Sequence, residues 1–185
     1  MRFLVSALVA SALTSGLAVS QNWEQADAQT IRLKPAAFAN LSSQVRQELE
    51  RRGCVIPQHY SESVPHNIVR GRFTSSTQTD IAVLCSKERA SSILVFRGGS
   101  TAAVAELAKR RDADFLQVVA AGGVVGYSRA LGSADPKYIQ EHHQRYGGPS
   151  PPSLDHDGIN DIFVGKASVV WYWSGGRWLQ LQGAD

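Results

Sequence analysis

Residues 67–96 read NIVRGRFTSSTQTDIAVLCSKERASSILVF, and their rhythm sets the fold class. Three short runs rich in β-branched and aromatic residues, 68–73, 81–85 and 93–96, alternate with polar connections at 74–79 and 86–90. That pattern predicts strands joined as an antiparallel meander, closed by Gly98 and Gly99. Downstream, residues 102–109 suit a short helix capped by Ser100 or Thr101. Residues 115–120 and 124–130 predict a strand pair turning at Gly122-Gly123. Asp135 followed by Pro136 is a helix start: the Asp side chain accepts from free N–H groups, and the proline fills a position that needs none. This helix carries Tyr138, Ile139, His142 and Tyr146 and stops at Gly147-Gly148. Pro149, Pro151 and Pro152 hold the next stretch extended. Residues 162–165, 168–173 and 178–181 read as three more strands. Strands in runs with helices inserted between them predict an α+β fold, one antiparallel sheet of about six or seven strands packed against two main helices.

Upstream of the meander, Pro35 opens the first of those helices, and Phe38, Leu41, Val45 and Leu49 recur at helical spacing. Gly53 ends it and Cys54 follows at once. Residues 21–34 are polar and read as a leader, so the single domain fills 35–185. The first twenty residues, MRFLVSALVASALTSGLAVS, join a positive start at Arg2 to an apolar middle and a small-residue end at Ala18-Val19-Ser20. Together these make a secretory signal cut before Gln21. No later stretch approaches the ~20 apolar residues of a membrane span. The expected destination is the periplasm or the cell exterior. In such a compartment the two cysteines, Cys54 and Cys85, predict one disulfide. A redox or metal pair is the alternative, but Cys-x-x-Cys spacing is absent.

The hairpin at 79–99 has an echo at 160–176. Asp80 and Asp161 each precede a strand, a loop, an apolar strand and a pair of glycines. Two such hairpins are expected to pair within one sheet, and two units are too few for a propeller or solenoid. The second unit contains Asp157-Gly158-Ile159-Asn160-Asp161-Ile162-Phe163-Val164-Gly165. This stretch resembles the loop and strand of FG-GAP and VCBS-type β units, which set an Asp/Asn-rich, glycine-containing loop before a strand. The resemblance implies an interaction domain with a calcium loop and covers only this hairpin. Calcium takes roughly six to eight hard oxygen ligands. Asp155, Asp157 and Asp161, with Ser153 and the Ile159 carbonyl, are the candidates. The same residues are also common turn formers that bond local backbone N–H groups.

Other chemistry is sparse. His142 and His143 are neighbours on a helix and point about 100° apart, too far to share one ion easily. His156, flanked by Asp155 and Asp157, is a candidate general base. No Gly-x-Ser-x-Gly elbow, His-Glu-x-x-His pair or phosphate-binding glycine loop accompanies it. Tyr127, Ser128 and Arg129 are candidates for part of a pocket. Trp171, Tyr172, Trp173 and Trp178 form the densest aromatic group; most should fill the core, with Tyr172 or Trp178 the exposed contact for a sugar or protein. The formal net charge of +3 is small, and its only clusters, Arg51-Arg52 and Lys109-Arg110-Arg111, are expected at helix ends. Nucleic-acid binding needs a basic face with interleaved aromatics and is not indicated. The reading is a secreted or periplasmic non-enzymatic interaction or ligand-binding module, its protein or carbohydrate partner unidentified and calcium its one suggested cofactor. The alternatives are a small secreted hydrolase built on His156 and an inhibitor of a secreted enzyme.

Overall fold

A computed structural model describes residues 22–183, and the signal expected at 1–20 lies outside them. The polar leader belongs to the fold. Asn22 accepts from the Gln25 amide to cap α1 (Trp23–Gln29), and β1 (Arg32–Leu33) follows. An ion network anchors this segment: Arg32 donates to Asp112 at 2.8 and 3.0 Å and to Asp27, which also accepts from Arg89. Pro35–Ala37 form only a turn of 3-10 helix. The longer helix, α2 (Ser43–Arg51), starts where the Ser42 hydroxyl accepts from the Val45 amide. Its apolar stripe, with Phe38 and Leu41 ahead of it, is buried throughout. Gly53, at φ +73°, ends it, and Cys54 is joined to Cys85 as expected. Closing a loop of that size contributes about 3–4 kcal/mol in the chain-entropy view.

β2 (Ile56–Pro57) pairs with β1. The predicted meander is a four-stranded antiparallel sheet of β3 (Ile68–Gly71), β4 (Asp80–Lys87), β5 (Ala90–Phe96) and β6 (Val104–Arg111), in that order. β6 corrects the helix expected at 102–109. Alanine favours helix by only a few tenths of a kcal/mol per residue over its neighbours, less than pairing with β5 and burial of Leu107 provide. After a 3-10 turn at Asp112–Phe115, β7 (Leu116–Ala120) and β8 (Val124–Tyr127) form the hairpin read at Gly122-Gly123. A second four-stranded antiparallel sheet is built from β9 (Arg129–Ala134), then, after α3 (Pro136–Tyr146), β10 (Gly158–Phe163), β11 (Ala167–Ser174) and β12 (Arg177–Gln182). Asp135 accepts from the Tyr138 amide at 2.7 Å, the cap read from Asp-Pro.

The expected fold, one sheet of six or seven strands against two main helices, is therefore corrected. Among the described residues there are twelve strands in four sheets and three α-helices, so the protein is mostly β. The echoing hairpins β4–β5 and β10–β11 do not share a sheet; each is the centre of its own meander. α2 covers the outer face of the first sheet at Ile81, Val83, Cys85, Leu94 and Phe96. α3 covers the outer face of the second at Val170, Tyr172 and Leu181. The inner faces meet over Ala82, Leu84, Ile93 and Val95 on one side and Leu131 and Ile159 on the other. The reason lies in β4 and β5, whose residues 81–86 and 91–96 are all buried. A strand apolar on both faces needs cover on both. A helix supplies one cover and the second sheet supplies the other.

Candidate functional site: a cleft between the two sheets

Register places the site. Alternation sends residues 159, 161 and 163 of β10 to the inner face, and pairing aligns them in rows. One row runs Leu131, Asp161, Val169, Gln182; the next runs Ile159, Trp171, Gln180; a third runs Arg129, Phe163, Ala167. Opposite them lies the edge strand β6. Its pairing with β5 passes from Ser91–Arg110 to Ile93–Leu107, so β6 carries one extra residue, a β-bulge. Ala108, at φ +53°, sits in that bulge. A left-handed conformation costs a non-glycine residue roughly 1–2 kcal/mol. In return its carbonyl accepts from Arg129 Nη2 at 2.9 Å.

Arg129 is wholly buried, and each of its five N–H groups has an acceptor. Nε and Nη2 reach Asp161 Oδ1 and Oδ2, both at 2.8 Å. Nη1 reaches the Ser91 carbonyl at 3.1 Å and its hydroxyl at 2.9 Å. The second Nη2 proton serves Ala108, and the Phe115 ring covers the guanidinium at 4.3 Å. Ser91 and Ala108 belong to the first sheet, Arg129 and Asp161 to the second. One fully bonded cation thus ties the sheets together.

Beyond this pair the sandwich opens into a cleft of about 700 Å³. Trp171, Phe163 and Phe115 give it apolar walls; Asp161, Gln180 and Gln182 give it polar ones; Lys109, Arg110 and Asp114 stand at its rim. The buried indole N–H of Trp171 has no acceptor among the described residues. Buried donors of this kind ordinarily have one. Nearby, Arg97 stacks 3.8 Å from the Trp173 ring, which meets Trp178 edge to face.

The three candidate calcium ligands have three separate partners. Asp155 accepts from the Ser76 hydroxyl at 2.7 Å, which holds its carboxyl below the usual range. Asp157 accepts from the Arg72 amide at 3.0 Å. Asp161 belongs to the buried pair with Arg129, and the Ile159 carbonyl lies within β10. The loop fastens the second sheet to the β3–β4 connection. Among the described residues, no three His, Cys, Asp or Glu side chains are grouped to hold a metal. His156 is buried, and its Nδ1 lies 3.2 Å from the Asp157 carbonyl of its own turn. Tyr172 is core beneath α3, while Trp178 is half-buried against Trp173.

Of the suggested pocket trio, Arg129 does not line the cleft but lies buried behind it, holding Asp161, which does. Tyr127 and Ser128 are core residues, and burial pushes the Tyr127 phenol up. Sequence reasoning missed Ser91, Ala108, Gln180, Gln182 and the placement of Lys109. A charged residue inside the run 124–131 was the available signal, since arginine enters a core only when paired. Among the described residues no helix is long and apolar enough to cross a membrane. Comparison with models of known protein families, with curated proteins and with solved structures finds no match to this chain.

Proposed function

We propose that this is an exported, non-enzymatic ligand-binding domain that takes a carbohydrate into the cleft between β6 and the second sheet. One observation carries the reading: aromatic walls and planar polar groups converge on a single opening of about 700 Å³. Ligand sites usually enclose roughly 300–1,000 Å³ and combine apolar lining with a few placed polar groups. A sugar ring offers a C–H face for Trp171 and hydroxyls for Gln180, Gln182 and Asp161. Asp161 is fixed by Arg129, so its spare lone pairs face the ligand at no cost in ordering. That arrangement suits binding better than proton transfer. The disulfide agrees with an oxidising compartment. The FG-GAP-like stretch supports the same role, because β10, which carries it, supplies Asp161 and Phe163 to the cleft.

The test is a tryptophan-fluorescence titration of the folded protein with a panel of oligosaccharides, beside Trp171→Ala. A saturable change in the wild type that the variant loses supports the cleft. Absence of saturation across the panel overturns it, and cleavage of any sugar in the panel would replace it with the hydrolase reading.

A further inference from the structure

We infer that the ligand is an acidic oligosaccharide whose carboxylates are held along β6, with Lys109 as the shared contact. The inference rests on the cleft reading above and adds the charge of the ligand to it. β6 is an edge strand with an opening on each side. On the side away from the cleft is a hollow of about 540 Å³ framed by Arg51, Arg52, Lys87 and Lys109, with Glu88 and Glu106. Four cations and two carboxylates line it, and Glu48, paired with Arg51 and Arg52, adds a third carboxylate beside them. Lys109 lines both openings.

Which cations are available follows from the ion pairs. Arg51 and Arg52 share Glu48, and Arg110 and Arg111 share Asp114. Lys87 and Lys109 make no ion pair among the described residues. They are the ammonium groups left for a ligand. The β6 bulge contributes, because an extra residue shifts the alternation of side chains beyond it. Arg51 and Arg52 from one basic cluster and Lys109 from the other line one hollow, because 104–111 is a strand and not a separate helix. A chain of linked sugars can lay one ring on Trp171 while a neighbouring carboxylate reaches Lys109. A nucleic acid fits less well, since base stacking along a strand needs successive aromatic platforms and the cleft's largest flat face is one indole.

Isothermal titration with an oligogalacturonate and its methyl ester tests this, since esterification removes the charge and keeps the sugars. The acid should bind about tenfold or more tightly than the ester, the scale expected for one charged hydrogen bond. Lys87→Ala/Lys109→Ala should remove that difference, while Lys137→Ala on α3 leaves it intact. Both target lysines are exposed, so a wild-type melting temperature confirms that the variants fold. Equal affinity for acid and ester, lost in Trp171→Ala, overturns the charge assignment and leaves the cleft standing. Acid binding that survives Trp171→Ala but not the lysine pair overturns the cleft reading instead. Failure of both polymers to bind, or equal binding of poly-glutamate or single-stranded DNA, overturns the acidic sugar.

Discussion

Asp80 and Asp161 stand at matching points of two similar hairpins, and the fold uses them differently. Asp80 opens β4 and accepts from the Thr74 amide and hydroxyl, the Gln78 side chain and the Gly98 amide. All of these lie in the loops of its own sheet, so Asp80 closes a connection. Asp161 lies inside β10 and accepts from Arg129, which reaches across to Ser91 and Ala108. One carboxylate is satisfied by local neutral donors. The other lines a cleft and is satisfied by a buried cation that joins two layers. One hairpin pattern thus closes a corner in the first sheet and ties the two sheets together in the second.

The largest effect should come from breaking the buried pair. Arg129→Met leaves Asp161 without its cation and should cost about 3–5 kcal/mol in urea unfolding, whereas Arg129→Met/Asp161→Leu should recover much of that loss. A single variant as stable as the wild type would show that Asp161 does not depend on Arg129. Asp80→Ala should cost less, about 1–3 kcal/mol, because it strands neutral donors rather than a charge. A larger loss than in Arg129→Met would reverse the contrast between the two carboxylates.

These two carboxylates also mark how far the sequence could be read. Local signals were legible: the Asp135-Pro136 cap, Gly53 at a helix end, the Gly122-Gly123 turn and the Cys54–Cys85 bridge all involve neighbouring residues or a single possible pairing. Whether two hairpins pair edge to edge or stack face to face depends on what covers their second faces. The unbroken apolar runs at 81–85 and 93–96 held that information, because a strand apolar on both faces needs cover on both. The run 102–111 misled because alanine-rich, basic sequence favours helix locally, while the open edge of β5 decides its state. Arg129 and Asp161 meet only because β9 and β10 are neighbours in the second sheet, and no spacing in the chain announces that. The Asp155–Asp161 stretch looked like one loop because Gly158 suggested a turn; instead β10 begins there and divides the acids between two surroundings.

Two smaller tests sharpen the contrast. Burial lowers the pKa of His59 and of His142, the latter tilted against Tyr138 and edge to face with Tyr146. Their neutral forms are the folded ones. Stability should therefore be full above the ordinary histidine value near 6.5 and fall as pH drops below it, since the unfolded chain binds the proton first. His142→Phe should flatten that decline in pH-dependent urea melts, and an unchanged slope would mean that His142 does not contribute. Asp157→Ala should have the smallest effect, about 1 kcal/mol, for the lost bond to the Arg72 amide. Melts in calcium and in EDTA decide the loop's other reading: a calcium-dependent rise absent from Asp157→Ala would make it an ion site as well as a fastening.

The cleft itself stands or falls on one NMR titration. The chain has four tryptophans, so its indole N–H groups give four separable signals, with exposed Trp23 as an internal control. Added oligogalacturonate should shift the Trp171 signal in a saturable way and leave Trp23 unmoved. A spectrum in which Trp171 stays still while the sugar binds elsewhere, or in which nothing moves, would contradict a binding site between the two sheets.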